Sequence, residues 1–146
     1  MPAQIPQKTV FSTPQDAEAA FYDAIERADL EALMMVWAED EEIVYIPPGG
    51  PRMTGYASVR EAWRRIFESG QRLTVTLTQP VLLQGMLVSV HSLCEQIGLR
   101  DGDPGQTAPL VVTNVYVRGA LGWRMLLHHA SPAPPGSLSE VPKTLH

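Results

Sequence analysis

Three short stretches carry side chains able to do chemistry. GWRMLLHHASP (122–132) places His128 and His129 side by side at the end of an apolar run, TNVYVR (113–118) offers Asn114 and Tyr116, and IVYI (43–46) offers Tyr45. An unperturbed imidazole ionises at about pH 6.5 and so suits a general acid or base at neutral pH. The Asn114 amide can donate to a carbonyl or oxyanion, and the phenols of Tyr45 and Tyr116 can orient a ligand or give it a proton. Such a set suffices for isomerisation, dehydration or aldol-type cyclisation of a small carbonyl compound and needs no cofactor. Each residue also has a structural reading: a histidine hydrogen-bonded in the core or at its rim, an asparagine satisfying a neighbour, a tyrosine packed beside a Pro-Gly turn.

Successive strand side chains point to opposite faces, so His128 and His129 cannot both enter one site. The same alternation argues against a metal pair, which on one strand would need i, i+2 spacing; His91 and His146 complete no ligand motif with them. The single cysteine, Cys94, excludes an internal disulfide and a multi-cysteine zinc site, and its apolar strand neighbours mark it as a buried structural thiol. No G-x-S-x-G elbow surrounds Ser131 or any other serine, and PPGGP (47–51) lacks the helix and lysine of a phosphate loop.

Which imidazole enters depends on the last hairpin. A turn of two residues (Ala120, Leu121) or of four pairs position 118 with 123, and Val112, Asn114 and Tyr116 then share a face with His129, Leu127 and Met125. A three-residue turn slips the frame by one and brings in His128 instead. The first frame is the expectation, with His129 and Asn114 as the chemical pair and Tyr45, Tyr116 and Leu127 touching a ligand. Phe21 and Trp63 would be core residues first and pocket wall second. His91 shares its parity with Ser89 and Glu95, against Val88, Val90 and Cys94, which predicts an outward-facing His91 in contact with solvent or a second subunit.

These residues need elements to hold them. Thr13 can cap a helix with Pro14 at its first position and Asp16 three residues on, followed by a stripe of Ala17, Ala20, Phe21, Ala24, Ile25 and Ala28. A shorter helix follows Asp29, an acidic turn spans 39–42, and Ile43 to Ile46 form a strand that PPGGP ends. A third helix starts near Ser58, with Glu61 completing a capping box, and buries Val59, Ala62, Trp63, Ile66 and Phe67 before Gly70 stops it. The period then changes to two: RLTVTLT alternates Leu73, Val75 and Leu77 against Thr74, Thr76 and Thr78. Further strands at 86–99, 110–117 and 123–130, joined by hairpin-like turns, make an antiparallel meander. Helices first and sheet second predict an α+β domain with its helices on one face of a curved sheet.

Composition narrows the partners. A chain of 146 residues, 45% hydrophobic, buries one core, so one domain at 13–132 is expected, with a flexible 1–12 and a Pro-rich 133–146 tail on the surface or disordered. A formal charge of -5 leaves no basic field for nucleic acid, and Arg60, Arg64 and Arg65 beside Glu61 and Glu68 read as a solvated helix face. With no amino-terminal apolar run and no stretch of about 18 apolar residues, no membrane contact is expected and the location is read as cytoplasmic.

The order of elements, with "TGYASVREAW", "TNVYVR" and "GWRMLLHHASP", resembles the nuclear transport factor 2-like superfamily over roughly residues 13–132, and within it the SnoaL-like and ketosteroid-isomerase-like group. The resemblance implies a cone: a strongly curved antiparallel sheet wrapped around a long first helix, with a pocket between helices and sheet and homodimers formed through the outer sheet face. It also implies three catalytic positions, of which the carboxylate base falls on Tyr45 or Ile46, the tyrosine on Phe21 and the aspartic acid on Asn114. Neither Tyr45 nor Phe21 offers the needed chemistry, so the steroid-isomerase proton shuttle is not expected. A small-molecule pocket protein acting as isomerase, lyase or cyclase is the first reading. A pocket without turnover, or a dimerisation and assembly module with a filled cone, stands beside it. A chamber with Asn114 and His129 on its wall favours the first.

Overall fold

The computed structural model of the protein describes residues 9–103 and 105–134. Helix α1 (Pro14–Arg27) starts as its sequence dictates: Thr13 Oγ1 accepts from Asp16 N at 3.0 Å, Pro14 needs no donor partner, and Ala28 ends the helix in the left-handed region at φ 53°. Helix α2 (Leu30–Val36) follows at once, capped by Asp29, whose Oδ1 accepts from Ala32 N. Strand β1 (Val44–Ile46) and the short β2 (Met53–Thr54), absent from the sequence reading, form a hairpin around the Pro-Gly turn. Helix α3 (Tyr56–Glu68) begins two residues before Ser58, with Gly55 at its cap and no side-chain cap bond. The expected capping box therefore does not form: Glu61 turns instead to Arg64 and Arg65 on its own helix.

Four long strands complete the chain: β3 (Leu73–Gln84), β4 (Val88–Leu99), β5 (Ala108–Gly119) and β6 (Gly122–Pro132). They form the meander, and β1 joins it parallel to β6, giving a curved, unclosed sheet in the order β2-β1-β6-β5-β4-β3. β3 is broken by a bulge at Gln79–Pro80, where Pro80 has no N–H to give the ladder. The three helices lie on one face, and Phe21, Leu33, Trp37, Ile43, Val59 and Met125 fill the space between layers with almost no exposure. Cys94 is buried and free, as its neighbours predict.

Phe11 is also buried and pairs with Gly122 at the β5–β6 turn. Gly122 has φ 83°, and a Cβ there would lie 2.4 Å from the Phe11 carbonyl oxygen, so only glycine fits. Residues 1–8 and 135–146, on which most of the flexible-terminus expectation falls, lie outside the described residues. No helix among the described residues is long and apolar enough to cross a membrane.

Candidate functional site

The last hairpin turns through Ala120 and Leu121, and Arg118 faces Trp123 as the two-residue turn requires. That frame holds as far as Tyr116 opposite Met125. Leu126 is then an extra residue, a β-bulge, and from there Val115 faces Leu127, Asn114 faces His128 and Thr113 faces His129. The bulge sits where the other edge of β6 changes partner, from Trp37 and Ala38 to β1. It reverses the expected choice of imidazole: His128 is 4% exposed and lies with Asn114, whereas His129 is exposed on the outer face. Leu127 is displaced with it and stands opposite Val115, off the inner face.

Beneath α1 the inner face of the sheet carries a continuous polar network. Glu18 and Tyr22, one turn apart on α1, point at it together. β4 supplies Ser89, His91 and Glu95, β5 supplies Asn114 and Tyr116, and β6 supplies His128. The parity assigned to His91 is right and its face is wrong: His91 and Ser89 are fully buried and Glu95 nearly so. β4 is an inside-out strand, with its polar side chains under the helix and Val88 turned out, because α1 brings carboxylate and phenol partners to the interior.

Two short chains of hydrogen bonds make up the network. In the first, Tyr22 Oη donates to Glu95 Oε2 at 2.5 Å and accepts from Asn114 Nδ2 at 2.9 Å, while His128 Nδ1 lies 2.5 Å from Asn114 Oδ1. An amide oxygen only accepts, so His128 Nδ1 carries the proton. In the second, Glu18 Oε2 collects Tyr116 Oη at 2.8 Å, His91 Nδ1 at 2.9 Å and Asn114 Nδ2 at 3.3 Å. Ser89 Oγ stands 2.9 Å from His91 Nε2. Serine, histidine and glutamate thus have the spacing of a hydrolase triad, but Ser89 is fully buried in a regular strand, and the arrangement holds Glu18 in place instead of presenting a nucleophile.

Burial governs the protonation of this region. It pushes the Glu95 carboxyl up to about 7, with the Glu18 charge adding to the shift and the Tyr22 hydrogen bond opposing it. It drives His128 down to about 3, helped by neighbouring His129, so this imidazole is neutral. Tyr22 and Tyr116 are raised by burial and by the nearby carboxylates, and remain protonated donors.

An aromatic wall closes one side. Tyr45 stacks on Trp63 at 4.8 Å between centroids and on His128 at 5.7 Å, and the Phe21 ring lies 5.0 Å from His128. Trp63 Nε1 is buried without a hydrogen-bond partner. The structure therefore brings together Asn114, Tyr116, Tyr45, Phe21 and Trp63, and leaves His129 and Leu127 outside. Phe21 packs in the core, and the phenol that meets Asn114 belongs to the next residue, Tyr22. Sequence reasoning missed Glu18, Tyr22, Ser89, Glu95 and the inward His91. The signal for them was a shared helical spacing of Glu18 and Tyr22 and a shared parity of the β4 polar residues. Among the described residues no group of three or more His, Cys, Asp or Glu side chains could hold a metal ion. Two clefts, of about 320 and 630 Å³, are lined by neither Asn114 nor His129.

The sequence profile of the SnoaL-like domain family matches residues 15–135. A protein from Thiobacillus denitrificans, named as a candidate calcium/calmodulin-dependent protein kinase type II association domain, is 37% identical, with 86% of this chain and 98% of that one covered and a TM-score of 0.74. A candidate dehydratase of the NTF2-like family from Streptomyces avermitilis is 27% identical over 81% of this chain and 91% of its own, also at 0.74. A candidate ketosteroid isomerase from Parabacteroides distasonis, 17% identical with 88% of this chain and 98% of its own covered, shares the fold at 0.67. No curated protein matches at a significant level. Since 401 solved chains match this one, the fold by itself selects no activity.

Proposed function

The chain is a member of the SnoaL-like domain family, and from that premise we propose that it binds a small, largely apolar carbonyl compound and moves a proton on it without a cofactor, as an isomerase, lyase or cyclase; Glu95 and its partners are buried and line neither cleft, so the compound reaches them only by displacing the packing above them. One observation carries the reading: a buried carboxyl held at about pKa 7, hydrogen-bonded to a phenol that is itself bonded to an asparagine amide. At neutral pH Glu95 exists in both protonation states, the condition for a general acid or base. Tyr22 gives its one O–H to Glu95, and the Asn114 amide gives its two N–H to Tyr22 and Glu18, so a developing oxyanion takes a donor here only by displacing one of these bonds. His128 bonds the Asn114 amide oxygen through its Nδ1–H and so fixes the amide with its nitrogen facing Tyr22. Burial keeps the Glu95 carboxyl high, with the like charge of Glu18 adding to it, and Glu18 is itself occupied by three donors, which separates the roles of the two carboxyls.

The test is proton exchange. A panel of cyclic enones incubated in D2O with the protein is expected to gain deuterium at the α-carbon, read by proton NMR, with a rate midpoint near the Glu95 value of about 7. Glu95→Gln should slow the exchange by about a hundredfold or more. Equal exchange with and without the carboxyl rejects the assignment.

A second reading, assembly, concerns the opposite face of the sheet and coexists with the first. Val81, Leu83, Val88 and Val111 are 57, 66, 46 and 39% exposed on the outer face of β3–β5, continuous with the Thr74, Thr76 and Thr78 row. A contiguous apolar patch of this kind supports a homodimer formed through the outer sheet face.

A further inference from the structure

The larger cleft, about 630 Å³, opens between α3 and the β1–β2 hairpin and shares no residue with the Glu18–Glu95 network. Its apolar sides include Pro47, Pro51, Met53, Ala62 and Ile66, Ser58 and the Arg-paired Glu61 also line it, and Tyr45, the most buried residue of the lining, forms its floor. Pro47 and Pro51 have no backbone N–H, so this wall is short of donors as well as apolar. The volume falls within the usual range for small-molecule sites, about 300–1,000 Å³.

One charged group at the rim is incompletely paired. Arg64 takes Glu61 through Nε and Nη2, at 2.8 and 2.6 Å, and also reaches Glu68. Arg65 is left with a single 3.2 Å bond from Nε to Glu61, and its two Nη nitrogens make no hydrogen bond among the described residues. A guanidinium fork beside an apolar slot is a receptor for a carboxylate attached to a flat apolar body.

We propose that this cleft binds a small aromatic or cyclic carboxylate, its body between Met53 and Ile66 above Tyr45 and its carboxylate on the Arg65 Nη atoms. The site is independent of proton transfer at Glu95, and each stands without the other.

Titration of 2-naphthoate into ¹⁵N-labelled protein tests it, with 2-naphthalenemethanol as the uncharged comparison. The acid is expected to move the amide signals of Met53 and of residues 57–66 and to bind more tightly than the alcohol. Arg65→Gln should weaken the acid about fivefold, the loss of one exposed ion pair, and leave the alcohol unchanged. Ala62→Trp should abolish binding of both at an unchanged melting temperature, whereas Glu95→Gln should leave both affinities as they are. Equal affinity for acid and alcohol, an Arg65→Gln variant that binds the acid normally, or shifts confined to the 81–88 hairpin would overturn the proposal. If Ala62→Trp does not fold, the Arg65→Gln comparison decides alone.

Discussion

Glu95 and His128 end one hydrogen-bonded chain, Glu95–Tyr22–Asn114–His128, and burial moves them in opposite directions. The native carboxyl titrates at about 7 against 4.5 unfolded, so its contribution is complete below pH 4.5 and lost as pH rises through 7. The native imidazole titrates at about 3 against 6.5, so its contribution is complete above pH 6.5 and lost as pH falls toward 3. Between pH 4.5 and 6.5 the two slopes cancel. Glu95→Gln removes one of them: relative to wild type, its unfolding free energy should drop by about 2–3 kcal/mol from pH 6.5 to 4.5, measured by urea titration. A parallel pH profile for the two proteins would show that Glu95 is an ordinary carboxyl. Of this chain the sequence disclosed Asn114, because its strand and parity could be read, but not its partners. Tyr22 and Glu18 lie at the border of the α1 apolar stripe, where a polar residue reads as solvent-facing until a second polar surface is known to lie beneath it.

At the scale of elements, the helices were legible because their stripes are local: Thr13 caps α1 as the sequence reading has it and α2 follows Asp29, whereas the capping box expected at Ser58 does not form and α3 starts two residues earlier. The bulge at Leu126 was not legible, since nothing in MLLHH marks which leucine is unpaired; its position depends on contacts with Trp37 and β1, far away in the chain. β4 misled for a related reason. Its valine row looks like a core face, and only the docking of α1 decides that the polar row is the covered one. Short β2 pairs with β1 over two residues and carries too little pattern to register. The turn before β6 makes a sharper prediction. Gly122→Ala, strained at φ 83° and meeting the Phe11 carbonyl, should cost at least about 2 kcal/mol in urea unfolding. Gly119→Ala, with nothing within 4 Å and an ordinary backbone, should cost less than about 1 kcal/mol. Equal costs would mean that the Phe11 contact holds nothing.

For the whole molecule, the inside-out β4 has a counterpart outside: valines turned away from the core need cover. Sedimentation of the wild type should give a dimer mass, and Leu83→Lys combined with Val111→Lys a monomer of unchanged helicity; a monomeric wild type removes the assembly reading. The parallel seam between β1 and β6 has a different reach. It joins Tyr45 to His128 across most of the chain, while the β3–β6 hairpins close over short loops. Nearby contacts form before distant ones, because closing a long loop costs more entropy. The seam is therefore the last stitch of folding, and it shuts the aromatic wall over His128. Until it closes, water reaches that imidazole and it ionises near its ordinary value, so refolding below pH 6 traps a protonated ring that must shed its charge before the sheet is sealed. Stopped-flow refolding followed by tryptophan fluorescence should accordingly slow in its final phase as the pH is lowered.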